Sequence, residues 1–248
     1  MENINHSDHL GEYTVIFTEI PIKKKGYILI NKSSQAQYLE AIDVSCKALI
    51  QSGADRIYAT CKDKSIDVPQ LELRTPHYEF HYEHELDYLE TALPSACSGN
   101  AKGEEALQPL TRDDGDEFLH IYNETFFYVP NSSTYTNEDT TRILEETEKF
   151  CAGFLIKNGK KVGIYELSFE ADVPEIASVG ILEEHRGMGL GYQFLNLLLK
   201  SLHTKGYLKA GLRVSTANPN AYRLYEKAGF MKVDTVSRWY LCHLKGEK

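Results

Sequence analysis

The residues best suited to chemistry in this sequence lie in one stretch, Val179 to Gly191, which reads V-G-I-L-E-E-H-R-G-M-G-L-G. A short apolar run ends in glycines, and apolar residues at helical spacing follow from about Leu190 to Lys205. Strand, glycine turn and helix N-terminus together make an anion site. Glycine lets the backbone approach the ligand, and the first N–H groups of a helix have no partner within it. The helix dipole adds partial positive charge there and Arg186 a full one. The chemistry this predicts is the binding of phosphate. Three spacings compete for the details. A nucleotide loop ending in Gly-Lys-Ser/Thr is absent. A dinucleotide turn needs G-x-G-x-x-G; Gly187 and Gly189 fit, but Tyr192 stands at the third position. Arg-x-x-Gly-x-Gly, at Arg186, Gly189 and Gly191, fits.

The elements that must position this loop read as a continuous succession. Leu107–Thr111 is predicted to be a strand. Asp113-Asp114 opens a helix to about Phe127, with Phe118, Ile121, Tyr122 and Thr125 on one face. After a loop over residues 130–137, Glu138–Glu148 is a second helix. Phe150–Lys157 and Lys160–Phe169 are strands around Asn158-Gly159, a hairpin signal. Pro174–Leu182 is the strand that feeds the glycine loop. After the central helix, Gly206 is a cap, Leu208–Ser215 a strand, and Asn218–Ala228 a helix closed by Gly229. Phe230–Asp234 and Ser237–Leu244 are expected as two final strands.

The first hundred residues are less informative. Tyr13–Ile20 alternates with Tyr13, Val15 and Phe17 on one face, and Lys23-Lys24-Lys25-Gly26 reads as a solvated turn before a strand at Tyr27–Ile30. Gln35–Gln51 has helical spacing, with Gly53 placed to end it, and Arg56–Cys61 is a strand. In His77–Leu86, Tyr78, Phe80, Tyr82 and Leu86 share one face; His77, Glu79, His81 and Glu83 share the other. That second face is read as the polar surface of an amphipathic strand rather than a metal site. Ser95–Glu105, small and polar, is the linker candidate. The expected division is an N-terminal α+β domain at 1–96, a linker at 97–105 and a second domain at 106–248.

A second segment, N-P-N-A-Y-R-L-Y-E-K-A-G-F at Asn218–Phe230, stands one helix and one strand beyond the glycine loop. Together with Arg-x-x-Gly-x-Gly it resembles the two signature segments of the GNAT (Gcn5-related N-acetyltransferase) superfamily, in family order. The resemblance covers Leu107–Leu244. It implies a three-layer α/β (α+β) fold: a mixed, mostly antiparallel sheet with a splayed central parallel pair. It also implies acetyl-CoA as co-substrate. Val179 and Ile181 would offer backbone groups to pantetheine, with Gly180 allowing close approach. The N–H groups of Arg186, Gly187, Met188, Gly189, Leu190 and Gly191 would take the pyrophosphate. Asn218 would hold the pantetheine arm, although its place before Pro219 also suits a helix N-cap. Tyr225 falls on the tyrosine that lies beside the CoA sulfur in many family members. Attack of an amine on a thioester expels a thiolate of pKa ~8.5, which a phenol of pKa ~10 protonates. Glu175, at the start of the strand that feeds the loop, is the candidate base and Glu166 its rival. The acceptor would meet Phe126, Phe127, Tyr128 and residues 130–135.

The order strand, helix, Gly-Ala, strand at Tyr27–Cys61 echoes the strand, helix, Gly-Tyr, strand at Val179–Ser215. The N-terminal domain therefore reads either as a degenerate GNAT-like repeat without the glycine loop, or as an unrelated small α+β domain. Closing over the acceptor site and forming a homodimer are the roles open to it. The reading favoured is an acetyl-CoA-dependent N-acetyltransferase working by direct attack in a ternary complex. The rivals are a non-catalytic acyl-CoA sensor and a transferase for another acyl group. The acceptor is a primary amine, on a small molecule or a peptide. A formal net charge of −9 argues against nucleic acid and anionic membranes as partners. The five cysteines are scattered, without C-x-x-C spacing, so no metal is expected and free thiols in a cytoplasmic protein are.

Overall fold

The computed structural model describes residues 2–9, 11–32, 35–61, 77–93 and 105–244. Its contacts group into two units, Met1–Leu86 with Thr235–Lys248, and Asp87–Asp234.

In the first unit the strands are β1 (Ile4–Asp8), β2 (Gly11–Ile16), β3 (Lys25–Lys32), β4 (Arg56–Cys61), the start of β5 (Tyr78–Ala92) and the end of the C-terminal strand β11 (Met231–Leu244). They lie in the order β1-β2-β3-β4-β11-β5. A four-residue helix α1 (Ile20–Lys23) occupies the start of the lysine run, and Lys24 ends it in the left-handed region at φ 56°. The run is thus a helix end rather than an open turn. Helix α2 (Gln35–Gln51) packs Ile42, Cys46 and Leu49 onto Ile28 and Ile30 of β3. Gly53 at φ 91° supplies the chain reversal after it. β3 and β4 are parallel and paired continuously, from Lys25↔Arg56 to Ile30↔Cys61. In β5, Tyr78 and Phe80 are buried as the alternation requires, but Tyr82, expected with them, is 57% exposed. Among the described residues, Cys46, Cys61, Cys151 and Cys242 are free thiols.

The second unit holds the rest of β5, β6 (Glu105–Pro109), β7 (Phe150–Lys157), β8 (Lys160–Ser168), β9 (Glu175–Ile181) and β10 (Lys209–Ser215), in the order β5-β10-β9-β8-β7-β6. Its helices are α3 (Gly115–Phe126), α4 (Asn137–Glu145), α5 (Leu190–Thr204) and α6 (Pro219–Lys227). Phe118, Ile121, Tyr122 and Thr125 of α3 are buried, as their spacing predicts. α3 and α4 pack on one apolar cluster with Phe150, Phe154 and Ile164. Leu190, Phe194, Leu195, Leu198 and Leu202 of α5 pack on a second with Val162, Ile176, Leu212 and Val214. The sheet therefore has helices on two faces, giving three layers. The β7–β8 hairpin turns at Asn158 (φ 51°) and Gly159 (φ 72°), the two positive φ values that a tight twisted hairpin demands.

Two expectations change. The final strands expected at Phe230–Asp234 and Ser237–Leu244 are one strand, because Thr235 and Val236 are β-branched and extend without a turn residue. The contiguous domains 1–96 and 106–248 do not match the grouping of contacts. Trp239, Tyr240 and Leu241 of β11 pair with β4, and the Leu93 N–H donates to the Leu208 carbonyl at 2.8 Å. An unpaired strand edge takes whichever strand reaches it. The expected linker lies outside the described residues, save Glu105 at the start of β6. Among the described residues no helix is long and apolar enough to cross a membrane.

Gly163 of β8 shows how tightly the second unit's sheet is built: a Cβ added there would lie 2.1 Å from the Gly180 carbonyl oxygen. Backbone meets backbone, with no flexible side chain to yield. Gly163→Ala should cost about 1–3 kcal/mol, read as a lower midpoint in urea unfolding.

Candidate active site

β9 has two unlike edges. Toward β8 it pairs from Ser168↔Glu175 to Gly163↔Ile181, with an irregularity between Glu166 and Leu167. Toward β10 the parallel register holds one pair, Gly211↔Glu175, where the Gly211 N–H donates to the Pro174 carbonyl at 2.9 Å. Beyond that point the two strands part. The Leu182 N–H donates to the Val162 carbonyl at 3.0 Å, so Leu182, and Gly180 by alternation, face β8. Val179 and Ile181 then turn their N–H and C=O groups into the gap. Gly180 is needed on the face toward α3, because a Cβ there would lie 2.3 Å from Thr125 Cγ2 of that helix.

The glycine loop closes one end of the gap. A single 3-10 turn at Glu183–His185 leads to Arg186, and Gly187 and Gly189 both adopt φ 77°. Nothing would obstruct a Cβ at either glycine, so it is the backbone conformation that requires them. Gly189 is the N-cap of α5, which leaves the N–H groups of Leu190, Gly191 and Tyr192 without helical partners. Gly191 lets that first turn close on α6, since a Cβ would lie 3.1 Å from Leu224 Cδ2. Met188 at the loop tip is 64% exposed. Arg186 differs from expectation. Its N–H donates to the Glu183 carbonyl at 3.1 Å and its Nε to the Ile181 carbonyl at 2.8 Å. The cradle of available N–H groups thus begins at Gly187, and the guanidinium holds one carbonyl of the gap.

On the other flank, the Asn218 side-chain oxygen accepts from the Ala221 N–H at 3.3 Å, so it caps α6. The two tyrosines of α6 are in different circumstances. The Tyr222 hydroxyl donates to Asp87 at 3.0 Å, and Asp87 is also paired with Lys232 at 2.7 Å. Tyr225 has its ring edge-on to Phe230 at 6.0 Å, and burial pushes its phenol up to about 12.

The two carboxylates proposed as base also separate. Glu175 accepts from Arg213 Nη2 at 2.9 Å, within an ion pair. Glu166 is 3% exposed and accepts from the Tyr135 hydroxyl at 2.7 Å. Burial raises its pKa above the ordinary 4.5, against the opposing effects of the Tyr135 hydroxyl and Arg142. Tyr135 stacks on Tyr122 with ring centroids 3.6 Å apart. The segment between α3 and α4 is held by Asn123, whose side chain donates to the Tyr135 carbonyl at 2.9 Å and accepts from its N–H at 2.8 Å. Tyr128, on the same segment, is 87% exposed.

Two features escaped the sequence reading. Tyr135 falls on the expected acceptor loop, but nothing in the spacing pairs it with Glu166. The one available signal was a lone acid in the apolar strand G-I-Y-E-L. Tyr88 of β5 covers Gly211 where β9 and β10 begin to part; a Cβ at Gly211 would lie 2.3 Å from its hydroxyl. Among the described residues no group of three or more metal-ligating side chains occurs.

A sheet parted beside a glycine loop at a helix N-terminus suits an extended ligand that ends in phosphate. Residues 115–230 match the model of the acetyltransferase (GNAT) family, and the chain carries a GNAT domain over that span. Mycothiol acetyltransferase of Corynebacterium efficiens is 31% identical over 126 residues, 49% of this chain and 43% of that protein. Mycothiol acetyltransferase of Thermobispora bispora is 31% identical over 136 residues, 50% of this chain and 46% of that protein. The matches thus span less than half the length of these relatives. A GCN5-related N-acetyltransferase from Sphaerobacter thermophilus has the same fold, with a TM-score of 0.65 at 13% identity, over 94% of this chain and 76% of that one. A conserved protein of unknown function from Staphylococcus epidermidis aligns over 97% of this chain and 94% of its own, with a TM-score of 0.61 at 16% identity.

The raised pKa of Glu166 has a consequence for stability. A carboxyl whose folded pKa is raised favours folding at low pH, and that contribution is lost as pH rises through the folded value. Glu166→Gln keeps an acceptor for Tyr135 without the charge. Its stability relative to the native protein should therefore rise as pH increases above 4.5, compared by urea unfolding at pH 4 and about pH 8.

Proposed function

We propose that the protein is an acetyl-CoA-dependent N-acetyltransferase that acetylates a primary amine by direct attack in a ternary complex. The observation that carries this reading is the parting of β9 from β10 after Gly211↔Glu175, beside the glycine loop. Pantetheine, an extended chain with two amides, suits a gap lined by strand backbone. The pyrophosphate suits the N–H groups of Gly187 to Gly191, with the dipole of α5 behind them. Asn218 keeps its amide NH2 for the pantetheine arm while its oxygen caps α6.

The amine nitrogen, once neutral, attacks the thioester carbon. The C–S bond breaks, and the thiolate takes the Tyr225 proton. Burial holds the Tyr225 phenol at about 12, so it carries its proton at neutral pH, although the raised value makes it a weaker acid than an ordinary phenol. The proton lost by the amine goes to a carboxylate, and the geometry favours Glu166 over Glu175 for this. Glu175 is already engaged by Arg213. Glu166 is buried and touched by Tyr135, so its proton affinity is higher and Tyr135 or a water connects it to the acceptor.

The acceptor is best matched to a small-molecule amine, since the curated relatives are mycothiol acetyltransferases. The first unit is a degenerate copy that does not take CoA: its parallel pair β3–β4 is bonded throughout, leaving no gap.

Thiol release from acetyl-CoA across a panel of amines tests the activity. Glu166→Gln should lower kcat/KM about 100-fold or more and remove the acid limb of its pH profile; Glu175→Gln should lower it by less than about 10-fold. Tyr225→Phe should lower kcat while CoA binds as before. Loss confined to Glu175→Gln would reject the assignment of the base. Tight CoA binding with no thiol release from any amine would favour the sensor instead.

A further inference from the structure

Two thiols of the first unit touch. Cys46 of α2 and Cys242 near the end of β11 have their sulfurs 3.7 Å apart, one S–H donating to the other sulfur across a separation of 196 residues in the chain. We propose that Cys46 and Cys242 are a reversible oxidation site, which closes to a disulfide under hydrogen peroxide and pins the last strand to α2. Both residues lie within the first unit, so the inference is independent of the acyl-CoA reading.

Packing fixes the pair. Cys46 lies on the buried face of α2 with Ile42 and Leu49 and is 0% exposed. Cys242 follows Tyr240 at strand spacing, so the two side chains share a face of β11, and both pack on the same apolar cluster as Cys46. The backbone beside Cys242 is held in the sheet, since Trp239, Tyr240 and Leu241 pair with β4. A disulfide has its sulfurs about 2.05 Å apart, so these need to approach by less than about 2 Å. Rotation about the two Cα–Cβ bonds supplies that without moving the strand.

The two thiols differ in access. Cys242 is half-buried and within reach of a small oxidant, whereas Cys46 is sealed. The hydrogen bond with Cys242, and then burial, push the Cys46 thiol up, which leaves Cys242 to react first. As thiolate, the Cys242 sulfur attacks one peroxide oxygen; the O–O bond breaks, hydroxide leaves and takes up the thiol's proton as water, and Cys242 becomes a sulfenic acid. The Cys46 sulfur then attacks the Cys242 sulfur. The S–O bond breaks, the departing oxygen takes the Cys46 proton and leaves as a second water, and the S–S bond forms. Two thiols lose two electrons, and one peroxide gains them. The bridge protects Cys242 from the irreversible sulfinic state. It also closes a long loop, and the loss of freedom that a cross-link imposes on the unfolded chain grows with loop length.

Peroxide treatment of the full chain, followed by alkylation, digestion without reductant and mass spectrometry, tests this. The expected product is a peptide pair joining Cys46 to Cys242, lighter by two hydrogens and released by dithiothreitol. At the urea midpoint of the reduced chain, the oxidised chain should have an unfolded-to-folded ratio lower by about tenfold or more. Cys242→Ser should lose both the bridge and that difference, and Cys46→Ala should leave a sulfenic acid on Cys242 that dimedone traps. The oxidised and reduced native chains are compared without any substitution, so a variant that fails to fold does not remove the test. Thiols that all remain open to alkylation, a bridge that uses Cys61, Cys97 or Cys151 instead, or a bridge that leaves the urea midpoint unchanged or lower would overturn the proposal.

Discussion

Everything at the site depends on one strand edge that is left unpaired. A β-strand inside a sheet ordinarily spends its N–H and C=O groups on both neighbours, and leaving them unmade in an apolar setting is costly. β9 pairs with β8 along its length, with one irregularity between Glu166 and Leu167, but meets β10 at Gly211↔Glu175 alone. The Ile181 carbonyl, facing the gap, is taken by Arg186. The arginine of the glycine-loop motif thus serves the strand as well as the loop. Under the proposed function, the groups that stay available are the ones pantetheine would pair with, having the length and the amides for it.

The first unit provides a built-in contrast. It too has a parallel pair with a helix between its strands, β3–α2–β4, but those strands bond from Lys25↔Arg56 to Ile30↔Cys61. No edge is open, and there is no glycine between Lys32 and Gln35. The same succession of elements therefore yields a closed sheet in one unit and a parted one in the other. The difference lies in local pairing and in glycine, not in architecture.

Electrostatics separates residues that look alike in one dimension. Glu166 and Glu175 are both acids at strand positions, and Tyr222 and Tyr225 lie one helical turn apart. Arg213 pairs with Glu175, whereas burial works against the charge on Glu166. Asp87 engages Tyr222, leaving Tyr225 as the tyrosine of α6 whose phenol is raised by burial alone. Each assignment turns on a partner that comes from a distant part of the chain.

Local pattern determined much of this protein. The helical spacing at Gln35–Gln51, the Asn158-Gly159 turn and the glycines that demand positive φ all specify their own backbone, because the interactions are short in sequence. Arg-x-x-Gly-x-Gly and the Asn218–Phe230 segment identified the family on the same basis, and Asn218 as an N-cap was legible from Pro219. Only tertiary structure decided which acid is buried, that Glu175 is paired with Arg213, and that β11 pairs with β4. The physical reason is common to all three. Desolvation, ion pairing and edge pairing are set by neighbours far away in sequence, and no local spacing encodes which neighbour arrives.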